Sequence, residues 1–225
     1  TYTSGADIAR AADAARRADV AVVFVTQFSY EGMDTANAMT LDGNQDALVA
    51  AVARANPRTV VVMETGNPVM MPWLDNVGAV MEAWYPGSGG GAAIARLLYG
   101  KVAPSGHLPM TFPASPAQLA HPDIAGVTAT SVFEMQFHTD QELVYDEGGE
   151  VGYRWFDRTH ATPLFAFGHG LTYTTFAHDG LRVRRHGDDV VATFTVRNTG
   201  ARPGVDVPQV YVGLPDGGGR RLAGW

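Results

Sequence analysis

The chain has 225 residues, 46% of them hydrophobic and 17% charged, with a net charge of −7 and a pI near 5.4. That balance describes a packed globular protein, long enough for one large domain or a domain with a small companion, and excludes a disordered chain. Sparse, scattered Lys and Arg argue against nucleic acid or an anionic membrane as partner; the lack of cysteine removes disulfides and thiolate chemistry; and no apolar run reaches the ~18 residues of a membrane span.

In chain order, residues 7–18 predict a helix with Ile8, Ala11, Ala12 and Ala15 on one face and Arg10, Arg16 and Arg17 mostly on the other. It leads into the apolar run VAVVFV at 20–25, of the kind a parallel strand covered on both faces shows. A second round follows, with a helix over 44–55, a strand over 59–63, a turn at 66–68, a strand over 79–83 and a helix over 90–99. This alternation implies an α/β fold with a parallel sheet and helices on both faces. Ligands in such sheets bind outside the carboxyl ends of the strands, so the loops starting at Thr26, Glu64 and Trp84 share the functional edge.

From 104 to about 177 the periodicity gives way to a stretch rich in Pro, Gly and aromatics, too long for a simple connection and expected to be an ordered crossing or active-site loop, flexible near 117–139. Asp146, Glu147 and Arg154 within it are expected to pin the crossing to the sheet through paired hydrogen bonds. After Phe176, residues 180–185, 190–197 and 207–212 read as short β-runs separated by turns. These three strands are the start of a sandwich that needs about seven, so the chain is expected to be truncated, nicked or continued on another segment. The expected division is 1–115 for the α/β unit, 116–177 for the crossing and 178–225 for a partial all-β unit.

Chemistry concentrates in the runs QFSYEGMDT at 27–35 and LDGNQDAL at 41–48. Glu31 falls on the loop beyond the first strand, between Tyr30 and Gly32, and glycine leaves room for a ligand. Desolvation beside Phe28 and Tyr30 can raise its pKa and make it a general acid near neutral pH; the plain alternative is a surface carboxylate in a turn. Glu64 reaches the same edge, as a second candidate acid or as a hydrogen-bond partner of a loop. Asp34 is expected to position the Glu31 loop by accepting backbone N–H bonds. The glycines at 87–91 invite a phosphate cradle, but the Lys and Ser/Thr of a P-loop are missing, as is dinucleotide-fingerprint spacing, so close strand-to-helix packing is expected. The seven His residues show no metal-ligand spacing; no metal and no cofactor are expected.

The 27–48 block resembles the signature E-G-x-D-R…L-x-L-P-x-x-Q-x-x-L of glycoside hydrolase family 3 at Glu31, Gly32, Asp34, Leu41, Gln45 and Leu48, with Thr35 in place of Arg and Asp42 or Gly43 in place of Pro. The resemblance runs on through TVVVMETGNPVMMPW at 59–73, AWYPGSGGG at 83–91, 100–113, VYDEG at 144–148, VGYR at 151–154 and PLFAFGHGLTY at 163–173. It implies a three-part protein: a barrel carrying an Asp nucleophile, the α/β sandwich, and a fibronectin type III-like domain. Only the second part and the start of the third match this chain. It further implies a retaining exo-β-glycosidase, most plausibly a β-glucosidase, with Glu31 as acid/base, Tyr30 and Phe28 flanking a sugar ring or anchoring the loop, and the barrel as an obligatory partner. Such enzymes set two carboxyl groups about 5 to 5.5 Å apart, so this chain alone is expected to show no more than trace turnover. The location expected is periplasmic or secreted, with any export signal upstream. A non-catalytic carbohydrate-binding or scaffold module of the same fold is the alternative.

Overall fold

The computed structural model describes residues 1–29, 39–122, 144–213, 215 and 219–225. The α/β unit runs α1 (Ile8–Arg16), β1 (Ala21–Thr26), α2 (Gln45–Ala55), β2 (Thr59–Glu64), β3 (Ala79–Glu82) and α3 (Gly90–Leu98). The three strands form one parallel sheet in the order β1-β2-β3. Asp7 caps α1 by accepting from the Arg10 amide at 3.0 Å, which satisfies one of the free N–H groups of the first turn.

α1 and α2 pack on each other over one face of the sheet, and the core there joins Ala11, Ala15, Val49 and Val52 to Val23, Val25, Val61 and Met63. Asn56 ties these layers at one end. Its amide donates to the carbonyls of Ala15 at 3.0 Å and Ala18 at 2.9 Å while its Oδ1 accepts from the Arg58 amide, so a buried polar side chain is satisfied three times over. The buried Trp73 donates its indole N–H to Asp46 at 2.7 Å.

One strand departs from expectation. β1 is a sheet edge, and Val22 and Phe24 are 42% and 51% exposed among the described residues, so its apolar run is covered on one face rather than two. A continuous run reports hydrophobic content but not which faces are roofed.

The crossing returns to the α/β unit. Phe112 and Phe165 exchange antiparallel backbone bonds, Leu108 does so with the 168–169 turn, and α4 (Tyr153–Thr159) follows the VGYR motif. The stretch expected to be flexible divides: 123–139 lie outside the described residues, whereas Gln118 accepts the Trp155 indole N–H at 2.8 Å and bonds the Thr162 carbonyl at 3.0 Å. The charged cluster pairs differently from expectation. Glu147 is bonded to His121 at 2.7 Å, and Arg154, in the first turn of α4, lies 3.5 Å from Glu150, which precedes the helix and also meets Arg221 at 2.7 Å.

Among the described residues the last segment holds four strands rather than three, in two antiparallel pairs: β4 (Phe176–His186) with β5 (Asp189–Asn198), and β6 (Val210–Gly213) with β7 (Arg220–Gly224). β7 is tied to α4 by the Arg220–Asp157 ion pair at 2.7 Å and by the Leu222 amide donating to the Tyr153 hydroxyl. Asp157 holds the Arg220 guanidinium above its ordinary pKa. Among the described residues no helix is long and apolar enough to cross a membrane.

Candidate functional site

The register brings three chain exits side by side, with Thr26 opposite Glu64 and Met63 opposite Glu82. Tyr30, Glu31, Gly32 and Asp34 lie outside the described residues. Both stems of the segment that carries them are described, and both are tied down.

Gln45, at the start of α2, clamps the end of β1: its Oε1 accepts from the Thr26 amide at 2.7 Å, and its Nε2 faces the carbonyls of Thr26 at 2.7 Å and Asp42 at 2.8 Å. Asp42 accepts from the Phe28 amide at 2.7 Å, and the Gln27 side chain donates to the Thr40 carbonyl at 3.0 Å. The returning stem is held where Met70 donates to the Met39 carbonyl at 2.8 Å. Gln45 is one of the signature residues, and its work here is a backbone clamp rather than chemistry. Asp42, which stands in the region where the family pattern has Pro, supplies a carboxylate to the outgoing stem.

Tyr85 joins the third exit to the first. Its hydroxyl donates to the Gln27 carbonyl at 2.6 Å, accepts from the Ser29 amide at 3.2 Å and lies 3.0 Å from Ser29 Oγ. Gly66 makes the close approach feasible: a Cβ there would collide with Ser29 Oγ and sit 2.9 Å from the Tyr85 hydroxyl. Phe28 is half-exposed on the same stem, not a buried anchor.

Two carboxyl groups end the other strands. Glu64 is partly buried, and its carbonyl accepts from Gln27 at 3.2 Å; the side-chain hydrogen bond considered for it is not made to any described residue. Glu82, which the sequence reading did not single out, is the more strongly built. Its Oε1 accepts from the Trp84 amide at 2.8 Å, and its Oε2 lies 3.2 Å from the Thr65 hydroxyl. Burial pushes the Glu82 carboxyl up to about 7 from 4.5, against the lowering effect of the hydrogen bonds from Trp84 and Thr65. The available signal was one acidic residue closing the apolar strand AVME.

Trp84 has φ of 52°, left-handed backbone that a bulky residue adopts only when its surroundings enforce it. Its amide bond to Glu82 and an edge-on contact with Phe112, 6.1 Å between ring centres, hold it there. Pro86 and a short 3₁₀ turn at Gly87–Gly89 then lead into α3. A Cβ on Gly90 would come within 2.5 Å of the Pro86 ring, whereas one on Gly87, Gly89 or Gly91 would meet none of the described residues within 4 Å, so the close packing expected of the run is confined to Gly90 and to its own turn.

Away from this edge, ligand atoms of His121, Asp146 and Glu147 lie within 4.8 Å of one another, a grouping hidden from spacing arguments because it joins residues 26 apart. The 2.7 Å contact of His121 with Glu147 is a direct hydrogen bond, and that bond holds the Glu147 carboxyl below its ordinary pKa. The bond ties His121 to the 144–150 turn and so anchors the crossing.

Comparison with known proteins places this geometry. The sequence profile of the glycosyl hydrolase family 3 C-terminal domain matches residues 3–173. Beta-glucosidase B of Emericella nidulans is 41% identical over 97% of this chain and 27% of its own length, and a beta-glucosidase of Rhizobium radiobacter is 40% identical over 94% and 26%. Among solved structures, DesR, a beta-glucosidase from Streptomyces venezuelae in complex with D-glucose, superposes with a TM-score of 0.82 at 43% identity, covering 96% of this chain and 27% of that one. Beta-glucosidase 3B from Thermotoga neapolitana, in complex with alpha-D-glucose, gives 0.82 at 29% identity over 96% and 31%. The chain thus spans about a quarter of the length of the curated relatives it matches.

Proposed function

The chain belongs to the glycosyl hydrolase family 3 C-terminal domain family, and from that premise we propose that it is the acid/base-bearing part of a retaining exo-β-glycosidase, a β-glucosidase, acting on terminal β-linked sugars. The observation that carries this reading is the edge itself. Gln45, Asp42 and Tyr85 tether the stems of the segment bearing the E-G-x-D motif beside the ends of β2 and β3. Tethered stems suit a segment that carries a general acid, because positioning is a large part of what a catalytic group contributes.

In this reading Glu31 protonates the leaving oxygen in the first step and takes a proton from water in the second. An Asp on an N-terminal barrel attacks the anomeric carbon between them. Phe28 and Tyr30 flank the sugar, Asp34 and Gly32 shape the loop, and Glu64 borders the pocket. Residues 178–225 begin a fibronectin type III-like domain, and the protein works outside the cytoplasm.

The test is hydrolysis of aryl β-glucosides by the full-length polypeptide that carries this chain. E31Q is expected to lower kcat/KM by ~10² to 10⁴ with a poor leaving group and by much less with 2,4-dinitrophenolate, which departs without a proton. This chain alone is expected to show only trace turnover. Wild-type rates in E31Q with the poor leaving group, in an active enzyme, would overturn the assignment. Sugar binding with no hydrolysis by the full-length polypeptide would leave a non-catalytic carbohydrate-binding module.

A further inference from the structure

Glu82 is not part of the signature that led to Glu31, yet it occupies the junction through which that segment is held. On one side it receives the amide of Trp84, the residue with left-handed backbone; on the other it meets the Thr65 hydroxyl. Trp84 is followed by Tyr85, whose phenol holds Gln27 and Ser29 two residues before Glu31.

The Thr65 hydroxyl lies 2.9 Å from the Asn67 carbonyl and 3.2 Å from Glu82 Oε2. It has one proton for two contacts, and the Asn67 carbonyl is the nearer of the two acceptors. The contact with Glu82 is then satisfied when Glu82 carries the proton and donates it to Thr65 Oγ1. In that form every member is served: Glu82 donates to Thr65, Thr65 donates to Asn67, and the Trp84 amide donates to Glu82. An ionised Glu82 instead competes with the Asn67 carbonyl for the single Thr65 hydroxyl proton, so one of the two acceptors goes short of a donor there. The elevated pKa of Glu82, caused by burial with no charged partner contributing, agrees with this. Among the described residues, the other titratable groups at this edge are Glu64, ending β2, Asp42, on the first stem, and Tyr85, after β3.

Resting on the glycosidase reading, we propose that Glu82 is a positioning residue of the site: as a neutral acid it locks the ends of β2 and β3 together and fixes the Trp84–Tyr85 turn that holds the stem of the Glu31 segment. It touches neither substrate nor the reacting atoms; it acts through Tyr85. When Glu82 ionises, the lock opens and the stem at Gln27 and Ser29 loses its hold through Tyr85.

The experiment uses the full-length polypeptide, with 2,4-dinitrophenyl β-glucoside as substrate so that leaving-group protonation does not shape the alkaline side of the profile. Gln at 82 keeps one donor and one acceptor but cannot ionise. E82Q is expected to keep kcat within about twofold of wild type at pH 6 and to move the alkaline fall of kcat upward by at least one pH unit. E82A is expected to lose about tenfold in kcat with KM within about threefold, and Y85F to lose several-fold. The double variant E82A/Y85F is expected to be no worse than E82A, since both act along one path. Three results each overturn the proposal: an alkaline limb unchanged in E82Q, wild-type kcat in E82A, or single losses that multiply in the double variant. If E82A does not fold, the profile of E82Q and the loss in Y85F decide the matter alone. A wild-type enzyme without glycosidase activity sinks the functional reading instead, so the two failures are distinguishable.

Discussion

β2 and β4 are both strands with branched apolar side chains, yet they live in different environments. In β2, Val61, Val62 and Met63 are fully buried, whereas in β4 Leu181 and Val183 are 67% and 63% exposed. The cause is cover rather than composition. β2 lies between β1 and β3, with α1 and α2 packed over the sheet, while β4 has β5 as its one sheet neighbour. A buried aliphatic side chain contributes about 1.5 to 3 kcal/mol relative to an exposed one, so the first region realises a stabilisation that the second holds in reserve for an opposing surface.

Substitutions sharpen that contrast. The largest loss is expected at Trp73: Trp73→Ala removes a buried ring and strands Asp46, at a cost of about 3 to 5 kcal/mol, read from urea or thermal unfolding. A comparable loss from Leu181→Ser would erase the distinction between the regions.

The next effect is one of pH. Folded Glu82 keeps its proton to about 7 whereas an unfolded glutamate releases it near 4.5, so the folded state binds more protons between those values. Its contribution is complete below about 4.5 and lost as pH rises through about 7, a fall of roughly 2 kcal/mol once solvent screening is allowed for. Melting temperature against pH should show it in wild type and lack it in E82Q.

Gly66→Ala follows, at about 1 to 3 kcal/mol, because the new methyl group forces Tyr85 and Ser29 apart. A lower kcat in the full-length polypeptide should accompany the lower stability, which a core substitution of equal cost would not produce.

The smallest effect is expected at the hairpin. Leu181→Ser or Val190→Thr should stay within about 0.5 kcal/mol in this chain, since both side chains are already in water. A cost above about 2 kcal/mol for Leu181→Ser in the full-length polypeptide would show that another surface covers the β4–β5 face there.

The α/β unit was legible in the sequence because its determinants are local. Period-3.6 stripes and the apolar runs gave α1, α2, α3 and all three strands to within a few residues, and the strand–helix alternation placed their carboxyl ends together. The ordered motifs likewise carried the family. β7 was not legible: RRLAG has little strand character of its own, and its pairing with β6 makes it one. What only the tertiary structure decided is who meets whom at the functional edge. Tyr85 reaches Gln27 across 58 positions and His121 reaches Glu147 across 26, while Glu82 becomes a proton-holding lock because burial removes water from its carboxyl group. Periodicity and caps act between covalent neighbours and are written along the chain; desolvation and long-range hydrogen bonds exist only once distant segments have been brought within 3 Å or so of each other.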